Sequence, residues 1–237
     1  MKQRLFRFKQ FEVRHDLCPM PITTDSVLVG AAANASEARQ VLDVGTGCGV
    51  IALMIAQRNP LAIIHAIDIH SDAVQQARQN FILSPWGNRL TAICDDFLAY
   101  ASQSTQRYDL IVSNPPYFTE DTLSPDAQRA SARNTVSLPL QSLIDGCQRL
   151  LNPNGILCLI TPYSIGKSFA LMVKHAGMHV AQCLIVKGTP CAEPSRIVWH
   201  ITPSHTTTRF RHLVIELARG IYTPQYISLT HRFYLKM

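Results

Sequence analysis

The fold is decided by ten residues, which read Gln40-Val41-Leu42-Asp43-Val44-Gly45-Thr46-Gly47-Cys48-Gly49. Their apolar first half predicts a short buried strand over 40–45, and the residues that follow predict a helix over 49–59. Glycine has no Cβ, so the three alternating glycines let the backbone turn sharply and let a ligand approach it closely. The stretch therefore predicts a ligand-binding loop between a strand and a helix of an α/β sheet.

Strand-like and helix-like segments alternate along the rest of the chain. Strands are predicted over 62–69, 90–94, 108–113, 156–161 and 180–186, and helices over 24–34, 71–81, 139–151 and 164–175. Strands separated by helices predict a parallel sheet with right-handed crossovers. The segments 196–201 and 212–217 have no helix between them, so they are expected to pair antiparallel at the sheet edge or to form a small extension. We expect a mostly parallel seven-stranded sheet with helices on both faces and an antiparallel edge.

The composition suits one domain of this kind. The chain has 237 residues, of which 47% are hydrophobic and only 16% charged, as in a domain around a buried parallel sheet. We expect a single domain with an N-terminal flap and helix (1–39), a catalytic core (40–203) and a basic C-terminal extension (204–237). No apolar run approaches the about 20 residues of a membrane span, and the basic N-terminus lacks the pattern of a signal peptide. We therefore expect a cytoplasmic, monomeric protein that does not bind a membrane.

Cysteine usage argues against a metal site or a disulfide framework. The seven cysteines are scattered and none forms a C-x-x-C pair, so they are expected to serve as small buried side chains. We expect no metal.

Positive charge is concentrated in the two terminal segments. Residues 1–16 carry five Lys or Arg against two acids and residues 187–237 carry seven against two, whereas the net charge of the whole chain is +6. The middle of the chain is therefore slightly acidic. Basic ends favour a polyanionic partner, because each neutralised phosphate releases counterions, although basic surface also aids solubility.

An acid stands at the end of each of three successive strands. Asp43 precedes the glycines, and Val50 replaces the last glycine of the G-x-G-x-x-G dinucleotide fingerprint. This favours S-adenosylmethionine, which carries an ammonium and a sulfonium and no pyrophosphate. Asp68 ends the second strand, at the position where a carboxylate accepts hydrogen bonds from both hydroxyls of a ligand's ribose. Asp96 follows the third strand. The alternative for each acid is a helix N-cap, but three acids on one ligand-binding edge weaken that reading.

Asp96 and its neighbour Phe97 suggest how the adenine of the cofactor is held. The carboxylate of Asp96 would accept from the adenine amine, and Phe97 would offer an apolar wall.

Two prolines directly after the fourth strand predict the chemistry, in Asn114-Pro115-Pro116-Tyr117. Proline fixes φ and has no amide hydrogen, so the carbonyls here are held rigidly. The amine of a conjugated ring is a weak nucleophile because its lone pair is delocalised. The Asn114 side-chain oxygen and the Pro115 carbonyl can hold both amine hydrogens and favour a pyramidal nitrogen, while Tyr117 stacks on the ring. Catalysis would then rest on positioning and electrostatics, with no general base needed before transfer.

These motifs resemble those of class I amino-methyltransferases, which have a Rossmann-like fold and act on adenine N6, guanine N2 or a glutamine amide. The flanking stretches Phe6-Arg7-Phe8-Lys9-Gln10-Phe11, Thr24-Asp25, Ser84-Pro85-Trp86 and Phe233-Tyr234-Leu235-Lys236 resemble bacterial tRNA adenine-N6 methyltransferases that modify adenine 37 of valine tRNA. The resemblance covers nearly the whole chain. It implies that Thr24 and Asp25 lie near the methionine end of S-adenosylmethionine.

The predicted site has three parts. The catalytic residues are Asn114, Pro115, Pro116 and Tyr117. The cofactor-binding residues are Thr24, Asp25, Asp43, Gly45, Thr46, Gly47, Gly49, Asp68, Ile69, Asp96, Phe97 and Asn114. The tRNA-binding residues are Arg7, Lys9, Arg133, Arg196, Arg209 and Arg211.

Other functions stay open on the sequence. Glutamine-N5 methyltransferases of release factors share the four-residue motif, but they carry an additional N-terminal helical domain, and only about forty residues precede the glycine loop here. Guanine-N2 methylation of rRNA and adenine methylation of DNA are further alternatives. An S-adenosylmethionine-binding RNA module without catalysis is the non-enzymatic alternative, and the intact Asn114–Tyr117 motif argues against it.

Overall fold

The computed structural model describes residues 4–18, 20–116 and 138–236. The strands of the central sheet are β3 (Gln40–Val44), β4 (Ile63–Asp68), β5 (Leu90–Cys94), β6 (Tyr108–Ser113), β7 (Leu151–Pro162), β8 (His179–Lys187), β9 (Pro194–Thr202) and β10 (Arg209–Val214). The helices are α1 (Thr24–Ala32), α2 (Val50–Arg58), α3 (Ser71–Leu83), α4 (Phe97–Gln103), α5 (Leu140–Leu150), α6 (Gly166–His175) and α7 (Pro224–Thr230). Two small ribbons pair β1 (Leu5–Arg7) with β2 (Glu12–Arg14) and β11 (Glu216–Ala218) with β12 (Ile221–Tyr222).

The central sheet has eight strands in the order β10-β8-β9-β7-β6-β3-β4-β5, one more than the sequence predicts. Only β9 runs antiparallel to its neighbours, β7 and β8; all the other pairings are parallel. The predicted antiparallel edge is therefore wrong in position, because β9 lies inside the sheet and β10 forms the edge. Burial explains this order: residues 197–202 of β9 are all buried, whereas residues 209–212 of β10 are all exposed.

Apolar side chains cover both faces of the sheet. One core cluster packs α1, α2 and α3 against one face and includes Val27, Leu53 and Phe81. The other packs α4, α5 and α6 against the opposite face and includes Leu143 and Phe169. The prediction of helices on both faces is thus confirmed.

The strand order reverses beside β3, which pairs with β4 on one side and β6 on the other. Ligands of open α/β sheets bind at such a point, outside the carboxyl ends of the strands. In the register of the sheet, Val44 pairs with Ser113 on one side and with Ile67 on the other. The glycine loop after β3, Asp68 at the end of β4 and Asn114 after β6 therefore lie at the ends of adjacent strands.

The two ends of the described chain pack against each other. Phe8 forms an isolated β-bridge with Tyr234, and the backbone N–H of Lys9 donates to the Phe233 carbonyl at 2.8 Å. The rings of Phe8 and Phe11 stack with centroids 4.5 Å apart. The division into flap, core and extension stays a prediction, but its first and last parts share one aromatic cluster.

Helix ends follow local sequence signals. The Thr23 side chain caps α1 by accepting from the Ser26 N–H at 3.4 Å. Gly177, with φ +69°, follows the end of α6 and turns the chain towards β8. Because α6 ends at His175 and β8 begins at His179, these two histidines, four residues apart, do not lie on one face of a helix, where they could bind a metal together. Within residues 4–18, 20–116 and 138–236, no cluster of three or more His, Cys, Asp or Glu is arranged to hold a metal, and no helix is long and apolar enough to cross a membrane.

Candidate active site

The glycine loop turns through three left-handed residues. Gly45, Gly47 and Gly49 have φ values of +69°, +55° and +83°, which other residues rarely adopt. The N–H groups of Gly45 and Thr46 both donate to the Ile67 carbonyl, at 2.9 and 3.1 Å, and this ties the loop to β4. Among the described residues other than its chain neighbours, no atom lies within 4 Å of a Cβ built on Gly45 or on Gly47, so this side of the loop is open there.

Asp43 lies completely buried beneath that loop. Its Oδ2 accepts from the Thr46 hydroxyl at 2.7 Å and from the Ala52 N–H at 3.2 Å, whereas its buried Oδ1 has no hydrogen-bond partner in the described part of the chain. Burial raises the pKa of Asp43 to about 7; the two hydrogen bonds oppose this rise and the negative charge of Asp68 adds to it. An unsatisfied carboxylate oxygen below an open loop is suited to a cationic ligand such as the amino acid end of S-adenosylmethionine.

Asp68, at the end of β4, supports the loop from the side. Its Oδ2 accepts from the Gly47 N–H at 2.9 Å and its Oδ1 from the His70 N–H at 3.0 Å. Each carboxylate oxygen can accept a further hydrogen bond, so these contacts are compatible with the predicted binding of ribose hydroxyls. The next residue, Ile69, exposes half of its surface at the same edge, whereas Ile67 on the other side of this acid is buried.

Asp96 and Phe97 have structural roles in this conformation. The Asp96 Oδ1 accepts from the Ala99 N–H at 2.9 Å and caps α4. Phe97 is buried, and a Cβ on Gly146 of α5 would lie only 2.6 Å from its ring. Phe97 therefore packs in the core between α4 and α5, and its role as an apolar wall for adenine stays a prediction.

The proline motif begins where β6 ends. The Ser113 hydroxyl donates to the Val44 carbonyl at 2.9 Å and joins the ends of β6 and β3. The Asn114 Nδ2 donates to the Ser26 hydroxyl of α1 at 3.1 Å. Pro115 is buried and Pro116 is exposed. Tyr117 lies outside the described residues. Sequence reasoning missed Ser26, because nothing in the local pattern links it to a residue 88 positions away.

Two predicted site residues form an ion pair with each other. Arg196 Nε lies 2.9 Å from Asp25 Oδ2, and both side chains are partly buried. Asp25 was expected to face the cofactor ammonium and Arg196 to contact tRNA phosphate. Here they join the first turn of α1 to the start of β9, beside Ser26, while Thr24 is exposed.

The other predicted tRNA contacts fall on two surfaces. Arg7 forms an exposed ion pair with Glu12 at 2.8 Å, and the Lys9 Nζ donates to the His231 carbonyl at 2.5 Å, both in the region where the chain ends meet. Arg209 and Arg211 are exposed on the edge strand β10. Arg133 lies outside the described residues.

Comparison with known proteins gives a consistent family. The model of the methyltransferase small domain matches residues 24–182. A tRNA1(Val) (adenine(37)-N6)-methyltransferase of Bacteroides fragilis is 41% identical over 238 residues, covering 100% of both chains. A protein of the same name from Aeromonas hydrophila is 41% identical over 233 residues, covering 98% of both.

Solved structures share the fold at low sequence identity. A predicted O-methyltransferase from Agrobacterium tumefaciens superposes with a TM-score of 0.68 at 17% identity, covering 88% of this chain and 96% of the other. A TehB-like SAM-dependent methyltransferase from Corynebacterium glutamicum gives a TM-score of 0.52 at 17% identity, covering 78% and 90%. The expected class I methyltransferase fold is confirmed.

Proposed function

The chain belongs to the methyltransferase small domain family and, within it, to the bacterial tRNA1(Val) (adenine(37)-N6)-methyltransferases, and on this premise we propose that it methylates N6 of adenine 37 in valine tRNA. The observation that carries the proposal is the position of Asn114. It follows β6 directly beside the open glycine loop that follows β3, since Ser113 and Val44 are paired in the sheet.

S-adenosylmethionine supplies an electrophilic methyl group on its sulfonium. The residues around the glycine loop fit this ligand: the faces of Gly45 and Gly47, open among the described residues, admit it, and the ammonium of the ligand would favour the ionised form of the Asp43 carboxyl below the loop. Asp68 would hold the ribose and Ile69 would contact the adenine. The carboxylate of Asp25 is paired with Arg196, so it can bind the ammonium of the cofactor only if it contacts both cations at once or if the ion pair with Arg196 breaks.

The substrate amine is held by oxygen atoms of the proline motif. The Asn114 Oδ1 and the Pro115 carbonyl accept one amine hydrogen each and draw the nitrogen lone pair out of conjugation with the ring. The same two oxygens would stabilise the positive charge that develops on nitrogen as its lone pair takes the methyl group and the carbon–sulfur bond breaks, which leaves a neutral thioether; the proton lost from the methylated amine would pass to water. Pro116 keeps the turn rigid, and Tyr117 would stack on the flipped base.

The meeting of the chain ends supports tRNA as the partner. It gathers basic residues from both terminal segments on one side of the molecule, which we call the terminal basic surface. Its exposed cations are Arg4, Arg7, Lys9, Arg14, Arg232 and Lys236. Glu12 and Asp16 are the exposed acids among residues 4–16 and 231–236, which supply these cations, so this surface is clearly positive. Arg209 and Arg211 on β10 would contact the tRNA at a second place. We propose that one monomer binds one tRNA.

The Asn114→Ala variant tests the proposed chemistry. Loss of one preorganised oxygen acceptor is expected to lower the single-turnover rate about 10²- to 10³-fold at saturating S-adenosylmethionine. The assay measures N6-methyladenosine in a valine tRNA transcript. The control is Asn88→Ala, the same change at an exposed position of the turn before β5. A rate for Asn114→Ala equal to that of the control would overturn the assigned role.

A further inference from the structure

The side-chain amide of Asn114 has two ends of nearly equal shape, and only one of them suits the substrate. Its oxygen accepts a hydrogen from the substrate amine, whereas its nitrogen is a donor and would oppose the hydrogens of that amine. Rotation of the amide by half a turn exchanges the two. The reaction therefore needs a group that holds the amide in one orientation.

Ser26 is placed to do this. Its hydroxyl oxygen accepts from the Asn114 Nδ2 at 3.1 Å, and Ser26 is itself buried, with 8% of its surface exposed. An amide nitrogen fixed on α1 leaves the Oδ1 on the opposite branch of the side chain. Ser26 thus distinguishes the two ends of the amide.

A hydroxyl can donate as well as accept, so its own hydrogen must be directed elsewhere. The Thr23 Oγ1 lies 3.4 Å from the Ser26 Oγ, within reach of a weak hydrogen bond. When the Ser26 hydroxyl donates to Thr23, its lone pairs face Asn114 and an amide nitrogen is the matching partner. The helix cap of α1 and the orientation of Asn114 are then parts of one chain of hydrogen bonds.

We propose that Ser26 is a positioning residue for the methyl transfer, acting through the amide of Asn114. The proposal rests on the proposed function, because it assigns Ser26 to the step in which Asn114 holds the substrate amine. Ser26 touches neither substrate nor cofactor in this role. Its hydroxyl raises the fraction of enzyme in which the Asn114 oxygen is ready to accept.

The Ser26→Ala variant tests the proposal. It is expected to lower kcat about three- to tenfold, the effect of losing one neutral hydrogen bond, because the correct orientation matters most in the transition state. The affinity for S-adenosylmethionine, measured by calorimetry, and the KM for a valine tRNA transcript should change less than about twofold. Thr23 is left intact, because its replacement would also remove the cap of α1.

Thr202→Ala is the matched control. It removes another buried hydroxyl, which accepts from the Ser204 N–H and lies at the end of β9, beside the start of β8 and at the opposite edge of the sheet from Asn114. Its melting temperature should fall about as much as that of Ser26→Ala, while its kcat stays within about twofold of the unchanged enzyme. Equal losses of kcat in the two variants would show a structural effect and overturn the proposal.

A double-mutant cycle identifies the route of the effect. In the Asn114→Ala background, measured with enzyme in excess and long incubation, Ser26→Ala should change the remaining rate less than about twofold. A loss as large as in the unchanged enzyme would mean that Ser26 does not act through Asn114. If the unchanged enzyme methylates no tRNA, the proposed function fails. If it is active and Ser26→Ala retains its full kcat, the positioning role alone fails.

Discussion

The Asp43→Asn variant is expected to remove a pH dependence of stability that burial of this carboxyl creates. The pKa of Asp43 rises from an ordinary value of 3.8 to about 7 in the folded protein. The folded state therefore binds the proton more tightly than the unfolded state, so the protonated carboxyl contributes stability below the unfolded pKa. This contribution is lost as the pH rises through about 7.

The size of the effect follows from the pKa shift. At about 1.36 kcal/mol per pKa unit, the whole contribution is about 4 kcal/mol, of which about 2–3 kcal/mol is lost between about pH 5 and about pH 8. Asparagine keeps an oxygen acceptor for Thr46 and Ala52 and does not titrate. The difference in unfolding free energy between the unchanged protein and Asp43→Asn should therefore shift by this amount over that interval.

Urea unfolding at several pH values measures this shift at constant temperature. Asp72→Asn, at an exposed position in the first turn of α3, is the control and should follow the unchanged protein. Parallel stability curves for Asp43→Asn and the unchanged protein would refute the reasoning, because they would mean that Asp43 titrates alike in both states.

Two further predictions concern the glycine loop and the terminal basic surface. Gly49→Ala should lower the free energy of unfolding by about 2 kcal/mol or more, because φ is +83° and the new Cβ would lie 2.5 Å from the Phe81 ring. The control Gly188→Ala, which has open space around it among the described residues, should change the free energy of unfolding by less than about 0.5 kcal/mol. Equal urea midpoints for the two variants would contradict the prediction. Arg232→Gln should reduce the magnitude of the slope of log affinity for tRNA against log salt concentration by about one. The control Arg107→Gln, at an exposed position before β6, should leave this slope unchanged. Equal slopes for the two variants would exclude Arg232 as a phosphate contact.

Local patterns were enough to predict most of the sheet. The strands at 90–94 and 108–113 occur at the predicted residues, because each is a short apolar run, whereas the short helix α4 between them is not among the predicted helices. The position of β9 could not be predicted, since strand order depends on which neighbours bury both of its faces. The same limit applies to the contact between the chain ends, where Phe8 and Tyr234 are distant in sequence.

The candidate site shows the same division. The positive φ of Gly45 and the burial of Asp43 follow from a strand that turns into a helix, and both residues lie at the predicted place. The pairing of Asp25 with Arg196 joins residues 171 positions apart, so no local signal reveals it. Tertiary packing decides such contacts, and a residue's type gives only its capacity to make them.

Nucleoside analysis of a single tRNA tests the central claim most directly. The protein is incubated with S-adenosylmethionine and either an unmodified valine tRNA transcript or the same transcript with guanine in place of adenine 37. The account predicts N6-methyladenosine in the first transcript and none in the second. Methylation that persists in the second transcript, or a different methylated nucleoside in the first, would contradict it.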